Sequence, residues 1–407
     1  MRSDWRQSNL GEFVRLQRGH DLTSLEQRPG NVPVMGSAGP NGTHDVARAT
    51  GPGVVIGRSG ASIGRVHFSS SDYWPHNTCL YVTDFCGNNP RFAYYLLSTL
   101  DLAKYNSGSA QPSLNRNFIY SMPVEIPGRR EQDEIVEVLQ TIDDRIDLLR
   151  QTNATLEAIA QALFKSWFVD FDPVRAKAEG REPEGMDAET AALFPSEFEE
   201  SELGAIPKGW RVGALDSFAT YLNGLALQKY PPESAEEYLP VIKIAQLRAG
   251  HTNSADKASA QLKPEYIVRD GDVLFSWSGS LEVELWCGGV GALNQHLFKV
   301  TSCKVPKWFY YLATKHFLPG FRDIAAHKAT TMGHIQRRHL AEARLAMPAL
   351  AVLDELSPLM GPLLDRRVNG GLQARELVAI RDSLLPRLIS GKLPVKEARD
   401  QIDEALQ

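Results

Sequence analysis

One ordered series of short segments occurs twice in this sequence, and this duplication constrains the fold more than any other feature. Trp5 and Arg6 return as Trp210 and Arg211, and residues 54–62 return as 273–280. Three further segments match in the same order: 77–82, 92–96 and 156–164 match 294–299, 308–312 and 377–385. Each match is weak alone, but their shared order predicts one structural unit of about 200 residues present in two copies.

The length and composition agree with two or three folded domains and exclude several classes of protein. The chain has 407 residues, of which 43% are hydrophobic and 23% charged, as in globular rather than disordered proteins. No apolar run approaches the roughly 18 residues of a membrane span, and the first residues lack the apolar stretch of a signal peptide, so a cytoplasmic protein is expected. The cysteines contain no C-x-x-C pair and are expected to be buried free thiols: Cys79, Cys86, Cys287 and Cys303.

The net charge of −5 conceals a segregation of charge along the chain. Residues 5–128 carry a net charge of +2 and residues 205–348 one of +5, whereas residues 129–204 between them carry −11. Residues 349–407 carry −1. Basic blocks favour DNA binding through counterion release and an acidic block opposes it, although random variation among solvated faces explains the same pattern equally well.

Each copy changes its periodicity once, from sheet to helix. The first part has short β-branched or aromatic runs separated by Gly, Pro, Asn and Asp, which is typical of twisted sheet with loops. Residues 53–57 and 272–275 are predicted to be buried strands that run directly into loops rich in Ser and Gly.

The second part of the first copy has the heptad pattern of a coiled coil, and a helix of about 35 residues is expected. Its counterpart, about 350–389, is less regular. Pro358 and Pro362 are expected to confine regular helix to their C-terminal side or to kink it, and Gly370-Gly371 to weaken its middle. The second helix is therefore expected to depend on packing against the first. The candidate packing residues are Ile135, Leu139, Ile142, Ile146, Leu149, Asn153, Leu156, Leu163, Trp167, Leu377, Ile380 and Leu384.

These patterns predict an α/β protein with two α/β domains in pseudo-two-fold tandem repeat, separated by two long antiparallel coiled-coil helices. Asn153, at a core position of the first helix, is expected to fix register rather than add stability. The predicted boundaries are 1–128 for the first α/β domain, 129–169 for the first spacer helix, 170–204 for a linker, 205–349 for the second α/β domain, 350–390 for the second spacer helix and 391–407 for a C-terminal tail.

The sequence contains no motif that indicates catalysis. It has no G-x-x-x-x-G-K-[ST] phosphate loop, and the glycine-rich segments 57–60 and 288–291 do not open a helix after a strand, as dinucleotide binding requires. Residues 88–91 (NNPR) lack the second proline and the aromatic residue of the methyltransferase motif Asn-Pro-Pro-Tyr, and they indicate a helix start. The ten histidines form no H-E-x-x-H pattern, so no catalytic residue and no metal ligand is predicted.

Side chains suited to DNA contact are concentrated in loops at matching places of the two copies. Arg and Lys pair with guanine, Asn and Gln with adenine, and Ser and Thr with bases or phosphates. The alternative for any single one is a helix cap or a turn, but the loops as groups favour DNA contact. In the first copy the candidates are Arg58, Ser59, Ser62, Arg65, Asn77, Ser109, Gln111, Ser113, Asn115 and Arg116. In the second copy they are Trp277, Ser278, Ser280, Asn294, Gln295, His296, Lys328, Thr330, Thr331, His334, Gln336, Arg337 and Arg338.

Over nearly its whole length, the sequence resembles the specificity subunit of a type I restriction–modification system. Residues 163–174 (LFKSWFVDFDPV) resemble the exit of that family's first spacer helix, and 203–210 (LGAIPKGW) the start of its second recognition domain. Residues 279–280 with 293–300 (LNQHLFKV) are similar to a recurrent strand–loop pattern of those domains, and 381–391 (RDSLLPRLISG) to the end of the second helix. The prolines and glycines within 358–371 depart from a clean helix.

The resemblance implies a non-catalytic subunit that recognises DNA. Each α/β domain would be a target-recognition domain for one half of a bipartite, asymmetric double-stranded DNA sequence, and the helices would set the spacer and dock two methyltransferase subunits. Those subunits would flip out and methylate adenine with S-adenosylmethionine. Two ATP- and Mg-dependent restriction subunits (translocase–nucleases) would join them for cleavage of unmodified DNA, a defence against phage. This chain would bind no cofactor itself.

Two other functions stay open at this level. In the first, the chain is itself a DNA-modifying enzyme. A methyltransferase or nuclease motif is then expected, and none occurs in the sequence. Alternatively, it would be a scaffold that joins proteins without reading DNA. Salt-dependent DNA binding separates the scaffold from the recognition subunit.

Overall fold

The computed structural model describes residues 5–107, 112–327 and 333–406. The chain divides into two compact units: unit 1 comprises Met1–Arg145 with Leu377–Gln407, and unit 2 comprises Ile146–Glu376. Both divisions fall inside long helices, so each of these helices contributes one end to each unit.

Unit 1 begins with a run of short strands and ends its sheet region at a long helix. The strands are β1 (Arg6–Asn9), β2 (Arg15–Arg18), β3 (Val32–Gly36), β4 (Gly39–His44), β5 (Gly53–Gly57), β6 (Val66–Ser69), β7 (Trp74–Pro75), β8 (Cys79–Asp84) and β9 (Pro123–Ile126). The helices are α1 (Leu10–Phe13), α2 (Pro90–Thr99), α3 (Arg116–Ile119) and the long α4 (Arg129–Phe168), with 3-10 turns at Gly60–Ser62 and Leu102–Tyr105.

The main sheet of unit 1 is antiparallel in the order β2-β8-β5-β6. All five residues of β5 are buried, as expected for a short apolar run without alternation. Helix α2 begins where predicted, because the Asn89 side chain accepts hydrogen bonds from the backbone N–H groups of Arg91 (2.8 Å) and Phe92 (3.2 Å) and Pro90 occupies the first helical turn.

Unit 2 contains a second set of short strands and the remaining helices. The strands are β10 (Phe198–Ser201), β11 (Gly204–Pro207), β12 (Arg211–Ala214), β13 (Thr220–Asn223), β14 (Leu239–Ile242), β15 (Lys257–Ala258), β16 (Ile267–Val268), β17 (Val273–Ser276), β18 (Val283–Leu285), β19 (Gly291–Leu293), β20 (Leu297–Thr301) and β21 (Arg344–Met347). The helices are α5 (Asp172–Ala178), α6 (Ala188–Ala192), α7 (Leu215–Phe218), α8 (Ile244–Ala249), α9 (Lys307–His327), α10 (Arg337–Glu342) and the long α11 (Leu350–Ile389), with 3-10 turns at Leu227–Lys229 and Pro264–Tyr266. The chain then ends in unit 1 with α12 (Val395–Leu406).

The sheet of unit 2 repeats that of unit 1, since its order β13-β20-β17-β18 has the same antiparallel pairing as β2-β8-β5-β6. The duplication is therefore structural. The strand register shows that the sequence match of 77–82 with 294–299 is wrong by one residue. Cys79 lies opposite the last residue of β5 and Leu297 opposite the last residue of β17, so these two correspond. Asn294 therefore corresponds to His76 rather than to Asn77. A shift of one residue would place every side chain of the strand on the opposite face of the sheet, so strand pairing decides the register.

The long helices confirm the predicted helical segments but not the predicted interruption. Helix α4 extends over 40 residues, and α11, also of 40 residues, continues through Pro358, Pro362 and Gly370-Gly371. The expected confinement of regular helix by the two prolines is wrong. This part of α11 is held by tertiary packing, because several apolar side chains on it are at most 4% exposed: Leu353, Leu356, Met360 and Leu364.

Within unit 2, α4 and α11 run antiparallel and in direct contact. Asn153 lies beside Gly370, and one turn further along α4 the Glu157 carboxylate is 2.5 Å from Nε of Arg367. Glu157 also pairs with Lys315 of α9 (2.7 Å), and both cations pair with Glu284 of β18. We refer to Glu157, Glu284, Lys315 and Arg367 as the ionic cluster, which joins the sheet of unit 2 to both long helices.

The predicted packing residues of the helices differ in burial. Seven are at most 5% exposed: Ile135, Leu139, Ile142, Ile146, Trp167, Leu377 and Leu384. The remaining five are partly buried: Leu149, Asn153, Leu156, Leu163 and Ile380. Trp167 packs edge-on against Phe194, which lies just after α6, with the ring centroids 5.7 Å apart.

The segment predicted as a linker is folded. It contains α5, α6 and the β10–β11 hairpin, and Phe171 packs edge-on against Trp210 at 5.9 Å. The cysteines are free thiols, but only Cys79 is fully buried. Cys303 is exposed, contrary to expectation, because it lies in the polar turn between β20 and α9. Among the described residues, no helix is long and apolar enough to cross a membrane.

Candidate nucleic-acid interface

In unit 1, four chain segments meet around a cleft of about 550 Å³. They are the end of β2 with the loop after it, the residue that follows β5, the start of β8, and Ser107 with the residues that lead into α3. The cleft is lined by Gln17, Arg18, Gly19, His20, Asp21, Arg58, Leu80, Ser107, Ser113, Leu114, Asn115 and Arg116. Nine of these twelve residues have polar or charged side chains, so the cleft is suited to a polar or charged ligand.

Backbone contacts fix this cleft. Gly19 donates from its N–H to the carbonyl of Cys79 (3.0 Å), and a Cβ at Gly19 would lie 2.1 Å from the carbonyl oxygen of His76. The end of β2 therefore approaches the turn before β8 more closely than any side chain permits. On the other side, Leu114 donates to the carbonyl of Arg58 (2.8 Å).

Several predicted DNA-binding residues of unit 1 are also used by the fold. Arg116 donates to the carbonyl of Leu16 (2.8 Å), and Asn115 caps α3 by accepting from the N–H of Asn117 (3.0 Å). Ser59 pairs through an isolated β-bridge with Ser113, which lines the cleft. Four predicted residues lie outside the lining of the cleft: Ser59, Ser62, Arg65 and Asn77.

Arg58 and Asp21 line the cleft, and Asn77, which lies outside its lining, connects them. Arg58 Nη1 donates to the carbonyl of Asn77 (3.4 Å), and the Asn77 amide donates to the carboxylate of Asp21. Arg18 Nη2 lies 2.9 Å from Oδ1 of the same carboxylate. The hydrogen bonds from Asn77 and then Arg18 lower the pKa of Asp21 below its usual value. This carboxylate is therefore ionised and orients both donors.

The sequence analysis missed Gln17, Arg18, His20 and Asp21. The available signal was their position: they lie in the run RLQRGHD, where a strand ends in a polar loop. This run falls between the matched segments 5–6 and 54–62, so it supplied no candidates.

Unit 2 builds its site on the same backbone frame. Gly224 donates to the carbonyl of Leu297 (3.0 Å), and a Cβ there would lie 2.3 Å from the carbonyl oxygen of Asn294. Ile335 donates to the carbonyl of Trp277 (3.0 Å), as Leu114 does to Arg58. These contacts place Gly224 at the position of Gly19 and Trp277 at that of Arg58.

The side chains on this second frame are different. Trp277 donates from its indole N–H to Oδ1 of Asn223 (2.8 Å), and its ring lies 5.8 Å from that of His296. His296 Nδ1 is 3.0 Å from the hydroxyl of Ser278, and Gln295 rather than a carboxylate contacts its Nε2. This arrangement lacks the acid partner of a Ser-His nucleophile and is better suited to binding than to catalysis.

The remaining predicted residues of unit 2 divide by burial. Ser278 (4% exposed) and Asn294 (3%) are buried, whereas Ser280, Gln336, Arg337 and Arg338 are exposed. Arg337 donates to the carbonyl of Tyr221 (3.2 Å), as Arg116 does to that of Leu16. His334 lies opposite Ser278 in an isolated β-bridge. Five further candidates lie outside the described residues: Ser109, Gln111, Lys328, Thr330 and Thr331.

In the part of the chain that the structure describes, no three His, Cys, Asp or Glu side chains lie close enough together to bind a metal ion. The cleft of unit 1 and the equivalent surface of unit 2 around Trp277 instead present donors and acceptors of hydrogen bonds: arginine, amides, hydroxyls and imidazoles. These groups are those with which proteins contact base edges and phosphates. The two equivalent sites are together called the clefts.

Comparison with known proteins agrees with this geometry. Residues 2–158 match the family model of the type I restriction modification DNA specificity domain. The HindI specificity subunit of Haemophilus influenzae is 25% identical over 360 residues, which cover 75% of this chain and 77% of that one. The MjaIX specificity subunit of Methanocaldococcus jannaschii is 24% identical over 359 residues, covering 85% of this chain and 78% of that one.

A solved structure shares the fold. The type I restriction-modification S subunit from M. genitalium aligns with 95% of this chain and 96% of its own, with a TM-score of 0.55 and 12% sequence identity. The family model covers the cleft of unit 1, and the relatives extend over both units. Residues 2–158 thus match the specificity-domain family, and over both units the chain is similar to the specificity subunits of type I restriction–modification systems.

Proposed function

We propose that this chain recognises a bipartite double-stranded DNA sequence, with each unit contacting one half. The observation that carries the proposal is the repetition of one backbone frame with different side chains. Unit 1 presents Arg58 and Asn77 on this frame, and unit 2 presents Trp277 and Gln295. Since different donors and acceptors select different bases, the two half-sites differ in sequence.

The chain itself is not a catalyst in this proposal and binds no cofactor. The chemistry belongs to two methyltransferase subunits, which use S-adenosylmethionine, and to two ATP-dependent restriction subunits. The long helices α4 and α11 dock the methyltransferase subunits and set the spacer between the half-sites. Exposed acidic side chains on α4 support this, because a negatively charged surface is better suited to a protein partner than to DNA.

The decisive experiment maps DNA methylation. The chain is expressed with the methyltransferase subunit encoded beside it in a host without adenine methylation, and modified adenines are located by long-read sequencing. A split, asymmetric motif should appear only when this chain is present. A soluble complex that methylates no motif would contradict the proposal.

A scaffold that joins proteins without reading DNA is the competing function, and the polar clefts argue against it. Affinity of the purified chain for its target duplex should fall steeply with salt, by a slope of about −0.9 in log K against log salt for each phosphate contact. Binding that is absent, or indifferent to salt, would favour the scaffold.

A further inference from the structure

Arg18 and Asn223 occupy equivalent positions in the two units, although their residue types differ. Each is the last residue of its strand, β2 or β13, and each directly precedes the glycine that abuts the turn before the next strand of the sheet. Arg18 lies opposite Leu80 in the sheet, and Asn223 lies opposite Phe298. Leu80 and Phe298 are equivalent in the corrected register. Strand pairing therefore makes Arg18 and Asn223, which lie opposite them, equivalent as well.

The backbone beneath both residues is fixed in the same way. Two positions earlier, the carbonyl of Leu16 accepts a hydrogen bond from Arg116 and that of Tyr221 accepts one from Arg337. Arg116 and Arg337 thus hold equivalent strands with equivalent contacts. At the end of these strands the backbone is common and the side chain is the variable part.

Each side chain is also oriented by a neighbour. The Arg18 guanidinium, half exposed, is held by Asp21 at 2.9 Å. Asn223 Oδ1 accepts from the Trp277 indole at 2.8 Å. A carbonyl oxygen accepts two hydrogen bonds, so Oδ1 can accept a second one while the amide nitrogen donates. Both side chains are therefore preorganised for a bidentate contact.

We propose that Arg18 and Asn223 are equivalent specificity-determining residues, and that Arg18 selects guanine in one half-site while Asn223 selects adenine in the other. Arginine makes a bidentate contact with O6 and N7 of guanine, and asparagine with N6 and N7 of adenine. The inference rests on the proposed function, because it assigns roles within the two clefts that contact DNA.

The test is selection from a duplex library with randomised positions, using the full-length chain in complex with its methyltransferase subunit. Wild type, Arg18→Asn, Asn223→Arg and the control Arg130→Asn are compared. Arg130 is 94% exposed at the start of α4, away from the clefts, and loses the same charge. Arg18→Asn should change guanine to adenine preference at one position of one half-site, on the order of 5- to 100-fold, and leave the other half unchanged.

Asn223→Arg should produce the reverse change in the other half-site, and Arg18→Lys should retain guanine, because lysine also donates to it. The inference is overturned if Arg18→Asn and Asn223→Arg weaken binding to all sequences equally, which is the behaviour of phosphate contacts. It is also overturned if the wild-type motif has no guanine in the half-site that unit 1 contacts. A wild-type complex that selects no sequence at all contradicts the proposed function itself, which separates the two failures.

Discussion

At the scale of single residues, the type of a side chain predicted what it can contact, and its neighbours decided what it does contact. Arg116 and Arg337 were chosen as DNA-binding residues because arginine is suited to that role. In the structure both donate to backbone carbonyls, so they hold the clefts in shape. Arg18 was missed, yet its guanidinium lines the cleft of unit 1.

Gly19 and Gly224 are expected to be indispensable for the shape of the clefts. Gly19→Ala and Gly224→Ala would each place a Cβ against a backbone carbonyl, at 2.1 and 2.3 Å, and backbone cannot move aside as a side chain can. Each substitution should destabilise its unit by about 1–3 kcal/mol and weaken DNA binding at least tenfold. Thermal unfolding and duplex titration measure the two effects. Gly128→Ala is the control, since its added Cβ meets no atom within 4 Å; an equal loss there would refute the explanation.

At the scale of elements, the long helices depend on contacts that their sequence pattern does not contain. Helix α11 passes through Pro358 and Pro362 because buried leucines on either side hold it against unit 2. Gly370 is needed there for close approach, since its Cβ would lie 2.4 Å from Oδ1 of Asn153. Asn153 Oδ1 is buried without a hydrogen-bond partner among the described residues, which agrees with a role in register rather than in stability.

Two glycines in helices of unit 2 should therefore respond oppositely to alanine. Gly320→Ala in α9 adds a Cβ in open space and should stabilise unit 2 by about 0.5–1 kcal/mol, because alanine favours helix. Gly370→Ala should destabilise it by up to about 1 kcal/mol despite the same gain in propensity, because the Asn153 side chain must move away from the added Cβ. Urea unfolding followed by tryptophan fluorescence reports mainly on unit 2. In the double variant with Asn153→Ala, most of the stability lost through Gly370→Ala should be recovered. No recovery would mean that the contact with Asn153 does not cause the loss.

The ionic cluster should make unit 2 sensitive to acid. Burial raises the pKa of Glu157, but Arg367 and Lys315 outweigh burial and hold that pKa below its usual value. A carboxyl with a lowered pKa binds fewer protons when folded, so its stabilisation is complete above the unfolded-state pKa of about 4.5 and is lost as pH falls through the folded-state pKa.

Glu157→Gln should lower the free energy of unfolding at pH 7 by about 3 kcal/mol, because two largely buried cations lose one of their two carboxylate partners. The difference from wild type should shrink as the pH falls below 4, in urea titrations at several pH values. Glu137→Gln, which removes the exposed pair with Arg399, should cost less than 1 kcal/mol at any pH. A constant difference for Glu157→Gln down to pH 3 would contradict the assignment.

At the scale of the whole molecule, the repeated frame predicts two independent recognition surfaces. Replacing residues 1–128 by the same region of a relative should change one half of the methylated motif and leave the other half intact. Replacing 205–349 should change the other half. Methylome sequencing of the two chimaeras checks this, and a chimaera that alters both halves would show that the surfaces are not separable.

By itself, the sequence determined the duplication, the alternation of sheet and helix, and the extent of α4, because these depend on local periodicity and on side chains that recur at a fixed spacing. Tertiary structure decided the strand register between the copies, the continuity of α11 through its prolines, and the composition of the clefts. Pairing between distant strands sets the register, and long-range packing outweighs local helix propensity. Arg18 and Asn223 entered the clefts only when two strands and their neighbouring turns came together.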